Sequence, residues 1–191
     1  MSSKYRLCLL CVILLFGGAG LMAWAMTNST SSQPTLSAVP TASPTRASWL
    51  ILPELPSTAT QADVGAEIYR LVCQDCHGNR GQGLTDEWRA EWNPKHQNCW
   101  QSKCHAPNHP PEGFILPRYV PPLLGPGSLS RYETILELYT YIRVNMPWHN
   151  PGSLQEAEYW QVTAFLVRER QMNLGDVVLD EERAGKLLLS R

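Results

Sequence analysis

Residues 73–78 read Cys-Gln-Asp-Cys-His-Gly, two thiols and an imidazole within a turn and a half of chain. Three chemistries use such a cluster: half of a zinc site, a redox dithiol, or covalent attachment of a porphyrin through Cys-x-x-Cys-His. A zinc site needs a second pair, and Cys99 with Cys104 is the candidate. Its four-residue gap, and the histidine directly after each pair, suit zinc less well. A thioredoxin-like dithiol follows a strand. Here a helical pattern, "QADVGAEIYRLV", runs into Cys73. The remaining reading is c-type haem attachment. Two thiols reach two vinyl groups on one porphyrin edge, and the adjacent His77 is held under the iron. Gly78 lets the chain turn away close to the ring.

The elements that would position these residues are helical. Thr60 with Asp63 resembles a helix start. "SRYE" (130–133) and "SLQE" (153–156) have the form of capping boxes. The first precedes a segment with Ile135, Leu138, Tyr139 and Ile142 on one face. The second precedes one with Tyr159, Val162, Phe165 and Leu166 at helical spacing. Between Gly78 and Ser130 the chain is rich in Pro, Gly and Asn, with no strand of any length. The spacing predicts an all-α domain of about three helices joined by loops long enough to wrap something.

On these residues the sequence resembles the class I cytochromes c, from Gly65 to about Arg168. Gly65, Tyr69 and Cys73 recur at the family's opening spacing of four. "PPLLG" (121–125) is similar to the stretch before the family's middle helix. "MPWHNPGSL" (146–154) resembles the loop that brings a distal methionine to the iron, and "YWQVTAFL" the closing helix, with Phe165 packing near Gly65. The resemblance implies one covalent haem c, bound through Cys73 and Cys76, with His77 and Met146 as axial ligands. His149 is the rival sixth ligand. Thioether ligation favours ferrous iron and closes the sixth position. No acid–base pair, nucleophile or nucleotide motif accompanies it. The expected role is a single-electron carrier, not an enzyme, that exchanges electrons with other redox proteins.

The insertion at about 84–117 departs from the family pattern. Cys99-x4-Cys104-His105 has the form of a wider haem motif, with His105 proximal and His96 or His109 distal; this is the dihaem alternative, a relay or a peroxidase-type enzyme. The surroundings are mostly Asn, Gln, Lys and Pro, with Trp92, Trp100 and Phe114 as exceptions, so a Cys99–Cys104 disulfide closing a short loop is the favoured reading. Such a loop adds about 2–3 kcal/mol in the chain-entropy model.

Outside the domain of residues 60–170 the composition changes. Lys4 and Arg6 precede an uncharged run from residue 7 to 26, long enough for one transmembrane helix. A retained anchor is favoured over cleavage after "AWA" (23–25), and Cys8 and Cys11 within it read as small apolar residues. Residues 27–59 are Ser/Thr/Pro-rich and read as a linker. The haem domain is therefore expected on the periplasmic side of a bacterial cytoplasmic membrane. The net charge of the whole chain is -1, which does not suggest nucleic acid; after Met26 it carries 14 Lys and Arg against 17 Asp and Glu, a slight lean toward basic partners. The tail, residues 171–191, holds apolar patches that suit packing on the domain or docking on another subunit. Anchor, insertion and tail together resemble what a subunit of a quinol-oxidising assembly, such as alternative complex III, would need.

Overall fold

A computed structural model describes residues 49–175 and 177–189. Among them the secondary structure is helical, with one isolated bridge between Thr134 and Leu188. Helix α1 (Gln61–Ile68) starts where expected: Thr60 accepts from the Asp63 amide, and the Asp63 carboxylate accepts from the Thr60 amide at 2.8 Å. It continues through a π turn (Tyr69–Cys73) into α2 (Gln74–His77), so residues 61–77 form one helical run. Short α3 (Asp86–Ala90) and a 3-10 turn (Pro94–His96) follow. Then come α4 (Ile135–Asn145), α5 (Glu156–Glu169) and α6 (Glu181–Lys186).

Two helix starts differ from the expected capping boxes. Helix α4 is capped by Thr134, whose hydroxyl accepts from the Glu137 amide at 3.1 Å, and not by Ser130. "TILE" carries the same signature as "SRYE" one turn later, and it directly precedes the apolar stripe. Helix α5 begins after Gln155, whose amide donates to Glu158 Oε2 at 2.6 Å, and not after Ser153. Ser153 is buried in the preceding loop.

The core lies between α1, α4 and α5. Ile68, Ile135, Leu138, Tyr159, Val162, Leu166 and Val167 are almost wholly buried. Helices α1 and α5 meet at Gly65. A Cβ there would lie 1.9 Å from the Gln161 carbonyl oxygen and 3.0 Å from Phe165 Cβ. Only glycine allows so close a backbone approach. One turn on, the Tyr69 and Phe165 rings pack at 5.0 Å, as the resemblance implied. Arg168 Nη1 reaches Asp63 at 2.6 Å across the same pair of helices.

Part of the tail folds back on the domain. Leu179, Ala184 and Leu189 are buried. Gln61 donates to the Leu179 carbonyl at 3.0 Å and accepts from its amide at 2.8 Å. The Leu189 amide donates to Glu133 O at 2.8 Å. Leu50 and Leu52, in the last part of the expected linker, also pack against the core, and Trp49 Nε1 donates to Ser153 O at 3.0 Å. The expected anchor, residues 1–26, lies outside the described residues. Among the described residues no helix is long and apolar enough to cross a membrane.

Candidate functional site

The π turn and α2 carry Cys73, Cys76 and His77 to the wall of a cavity. In the turn the Gln74 amide bonds to the Tyr69 carbonyl, five residues back. Such turns interrupt α-helices often at functional sites. The Tyr69 hydroxyl then donates to the Gly78 carbonyl at 2.7 Å, pinning the exit of the motif to its entrance. Gly78 has φ 84° and ψ 154°, a conformation that side-chain-bearing residues rarely adopt. From beneath, the Trp88 indole donates to the Asp75 carbonyl at 3.1 Å.

His77 is 8% exposed. Its Nδ1 lies 3.1 Å from the Pro121 carbonyl oxygen. A carbonyl only accepts, so Nδ1 carries the proton and Nε2 keeps its lone pair free. Burial lowers the imidazole's pKa, against the opposing pull of the Pro121 bond. The "PPLLG" stretch thus orients the histidine, a role the sequence reading did not assign it. The Leu123 and Leu124 amides fix that stretch by donating to Gly81 O at 2.8 and 3.1 Å. Burial pushes the Cys73 thiol up to about 12 and the Cys76 thiol up to about 11.

One cavity at His77 has a volume of about 560 Å³ and is lined by Cys76, His77, Leu123, Leu138, Ile142 and Met146, among others. A smaller one, about 70 Å³, is lined by Cys73, Cys76, His77, Met146 and His149. Met146 therefore shares both cavities with His77. It caps α4 in an extended conformation, φ -121° and ψ 154°, immediately after the last helical residue. Its carbonyl accepts from the Tyr159 hydroxyl at 2.7 Å, and its amide donates to Ile142 O at 2.8 Å. At another part of the larger cavity the Arg131 guanidinium lies 4.2 Å from the Tyr141 ring centre and 4.7 Å from that of Tyr132. Arg131 is the one permanent cation among the described residues lining it.

Residues 60–166 match a family model described as cytochrome c oxidase, cbb3-type, subunit III. The chain belongs to this family. Residues 60–166 form a class I c-type cytochrome domain, which binds haem c covalently and serves electron transfer. No curated protein matches the chain significantly. A solved structure, the sulfane dehydrogenase SoxCD from Paracoccus pantotrophus, is 21% identical over 68% of this chain, with a TM-score of 0.42. The match covers 53% of that protein's chain.

The residues of this cytochrome fit the haem: two sulfurs on one helical run, a buried imidazole with a free Nε2, a thioether side chain in the same cavity and largely apolar walls. The zinc alternative does not fit, because among the described residues no three His, Cys, Asp or Glu side chains are placed to hold an ion. In the insertion, Cys99 and Cys104 are unbonded in this structure, as Cys73 and Cys76 are. Cys104 Sγ accepts from the Gln101 side-chain Nε2 at 3.3 Å, while Cys99 is buried. Neither sulfur, nor His105, His96 or His109, lines the two cavities at His77.

Proposed function

We propose that the protein is a monohaem single-electron carrier, with Cys73 and Cys76 forming the thioethers and His77 and Met146 the axial pair. The observation that carries this is that Met146 enters the same cavities as an imidazole whose Nδ1 is committed to Pro121. A bound haem c supplies a one-electron couple; the chain's task is to hold it, tune it and keep water away. His77 is kept neutral and fixed in one tautomer. Met146 is held by Tyr159 and by the end of α4, where its thioether would serve as the second protein ligand to a bound haem iron. Arg131 is the natural partner for a haem carboxylate, and the bond would be charge-assisted.

Tethering by residues 1–26 on the periplasmic side of a membrane, with redox proteins as partners, belongs to the same proposal. Two features bear on docking in a quinol-oxidising complex. The tail is already occupied by its own domain through Leu179, Ala184 and Leu189. Its Val177 and Val178 remain exposed.

The ligand set is tested on the oxidised protein and on Met146 variants. The wild type should show the weak near-infrared sulfur-to-iron charge-transfer band and bind carbon monoxide poorly when reduced. Met146→His should keep the haem, abolish that band and lower the potential, because two imidazoles stabilise ferric iron. Met146→Ala should open the iron to carbon monoxide. A wild type that binds carbon monoxide readily, or a Met146→Ala protein with unchanged spectrum and potential, would refute the assignment and favour His149.

A further inference from the structure

Three consecutive backbone carbonyls at the end of the insertion each accept from a ring N–H. Phe114 O faces His105 Nδ1 at 3.3 Å. Ile115 O accepts from Trp148 Nε1 at 2.9 Å. Leu116 O accepts from Trp100 Nε1 at 3.0 Å. The Leu116 amide donates back to the His105 carbonyl at 3.2 Å. Two of these ring donors, His105 and Trp100, belong to the insertion itself. Trp148 does not: it stands two residues after Met146, in the loop that presents the thioether.

A second contact joins the same two segments. The Phe114 ring centre lies 4.3 Å from that of His105 and 5.5 Å from that of His149. Phe114 lines the smaller cavity and Leu116 the larger. The methionine loop is thus held from two sides. On one side the Tyr159 hydroxyl of α5 holds Met146 O. On the other, segment 114–116 holds Trp148 and His149. That segment is itself anchored, because the Trp100 indole that donates to Leu116 O also has the guanidinium groups of Arg89 and Arg118 5.3 and 5.2 Å from its ring centre. This also gives His105 a task that needs no iron, since its proton is directed at Phe114 O.

We propose that residues 114–116 form a strap that holds the methionine loop closed, and that Trp148 is the positioning residue through which the insertion sets how readily the sixth position opens. The inference rests on the reading of Met146 as axial ligand. A ligand loop opens by breaking its weakest attachments first. A strap bonded to the loop two residues from the sulfur raises the free energy of that opening without touching the iron.

The test uses ferric holoprotein titrated with imidazole, with the near-infrared band recorded throughout. Trp148→Phe removes the N–H donor and keeps an aromatic ring. It should retain the haem and the band at neutral pH, yet bind imidazole about fivefold more tightly, the loss of one net hydrogen bond. Phe114→Leu, which leaves Trp148 in place, should move the affinity in the same direction. The denaturant midpoint of each variant is measured alongside. Imidazole affinities within twofold of the wild type in both variants would overturn the strap. So would a rise fully matched by a loss of global stability, since the effect would then not be local. If the wild type itself lacks the band, the ligand assignment has failed, and the strap with it.

Discussion

Replacing Gly65 by alanine pits two effects of known sign against each other. In an exposed helix interior alanine is favoured over glycine by about 1 kcal/mol, so local propensity predicts a more stable protein. The structure predicts the reverse. The new Cβ would lie 1.9 Å from the Gln161 carbonyl oxygen and 2.5 Å from the carbonyl carbon. Both are backbone atoms of α5, and no rotamer change can move them aside. Helix α1 must retreat by more than 1 Å, judged against an ordinary contact of about 3.5 Å. That retreat loosens the Tyr69–Phe165 contact, now 5.0 Å between ring centres, and the Arg168–Asp63 pair beyond it. Overpacking of this kind costs about 1–3 kcal/mol where side chains can adjust. With backbone on the far side, the net loss after the propensity gain should be about 2 kcal/mol or more. Guanidinium unfolding of the holoprotein, followed by far-UV circular dichroism, measures it. Because the helical run from α1 continues into Cys73, the variant should also incorporate less haem per chain. A Gly65→Ala protein as stable as the wild type, with full haem content, would refute the close-packing argument and leave only propensity.

Asp63 is held at about 2, down from 3.8, by the backbone and side-chain bonds of Thr60 and then by Arg168. A depressed carboxylate stabilises the fold above its unfolded value and loses that contribution as pH falls. Asp63→Asn should therefore flatten the acid limb of the stability curve between about pH 4 and 2, by less than about 1 kcal/mol because the site is exposed; an unchanged limb would count against the cap. Cys99→Ser with Cys104→Ser should leave the haem-to-protein ratio at one in a pyridine haemochrome assay with intact mass, whereas a fall by half would establish a second haem. If residues 1–26 are a retained anchor, the protein should stay with membranes through high salt and leave only with detergent. Soluble protein beginning at Met26 would instead make residues 23–25 a cleavage site.

The parts of the site that were legible in the sequence are local or carry a fixed spacing. Cys73, Cys76 and His77 are read from five consecutive letters. Gly65 and Phe165 are read from family spacing, and Met146 from its position after a helical stripe and before Pro147. The Thr60–Asp63 cap was legible because Thr60 directly precedes the helical pattern that runs into Cys73. At Ser130 and Thr134 two Ser/Thr-x-x-Glu signatures lie one turn apart, and sequence alone does not rank them; the buried Ile135 does. The bonds of Trp100, Trp148 and His105 to residues 114–116 were not legible at all. They join residues up to 33 apart through backbone carbonyls, and a backbone acceptor leaves no trace in residue type.

The π turn at Tyr69–Cys73 also bears on which changes this helix can absorb. In a regular helix each residue advances about 100°. The wide turn takes up one residue more than an α-turn, and so fixes the angle between the face at Gly65, pressed on α5, and the face carrying the two sulfurs and the imidazole. The number of residues between Gly65 and Cys73 therefore matters more than their identity. Arg70 and Leu71 are exposed, and substitutions there change only solvent-facing side chains. Deleting one of them would convert the bulge to ordinary helix and leave His77 at nearly its present angle, whereas deleting both would swing it by about 100°, away from Pro121 and out of the cavity, with every functional residue still present in the gene.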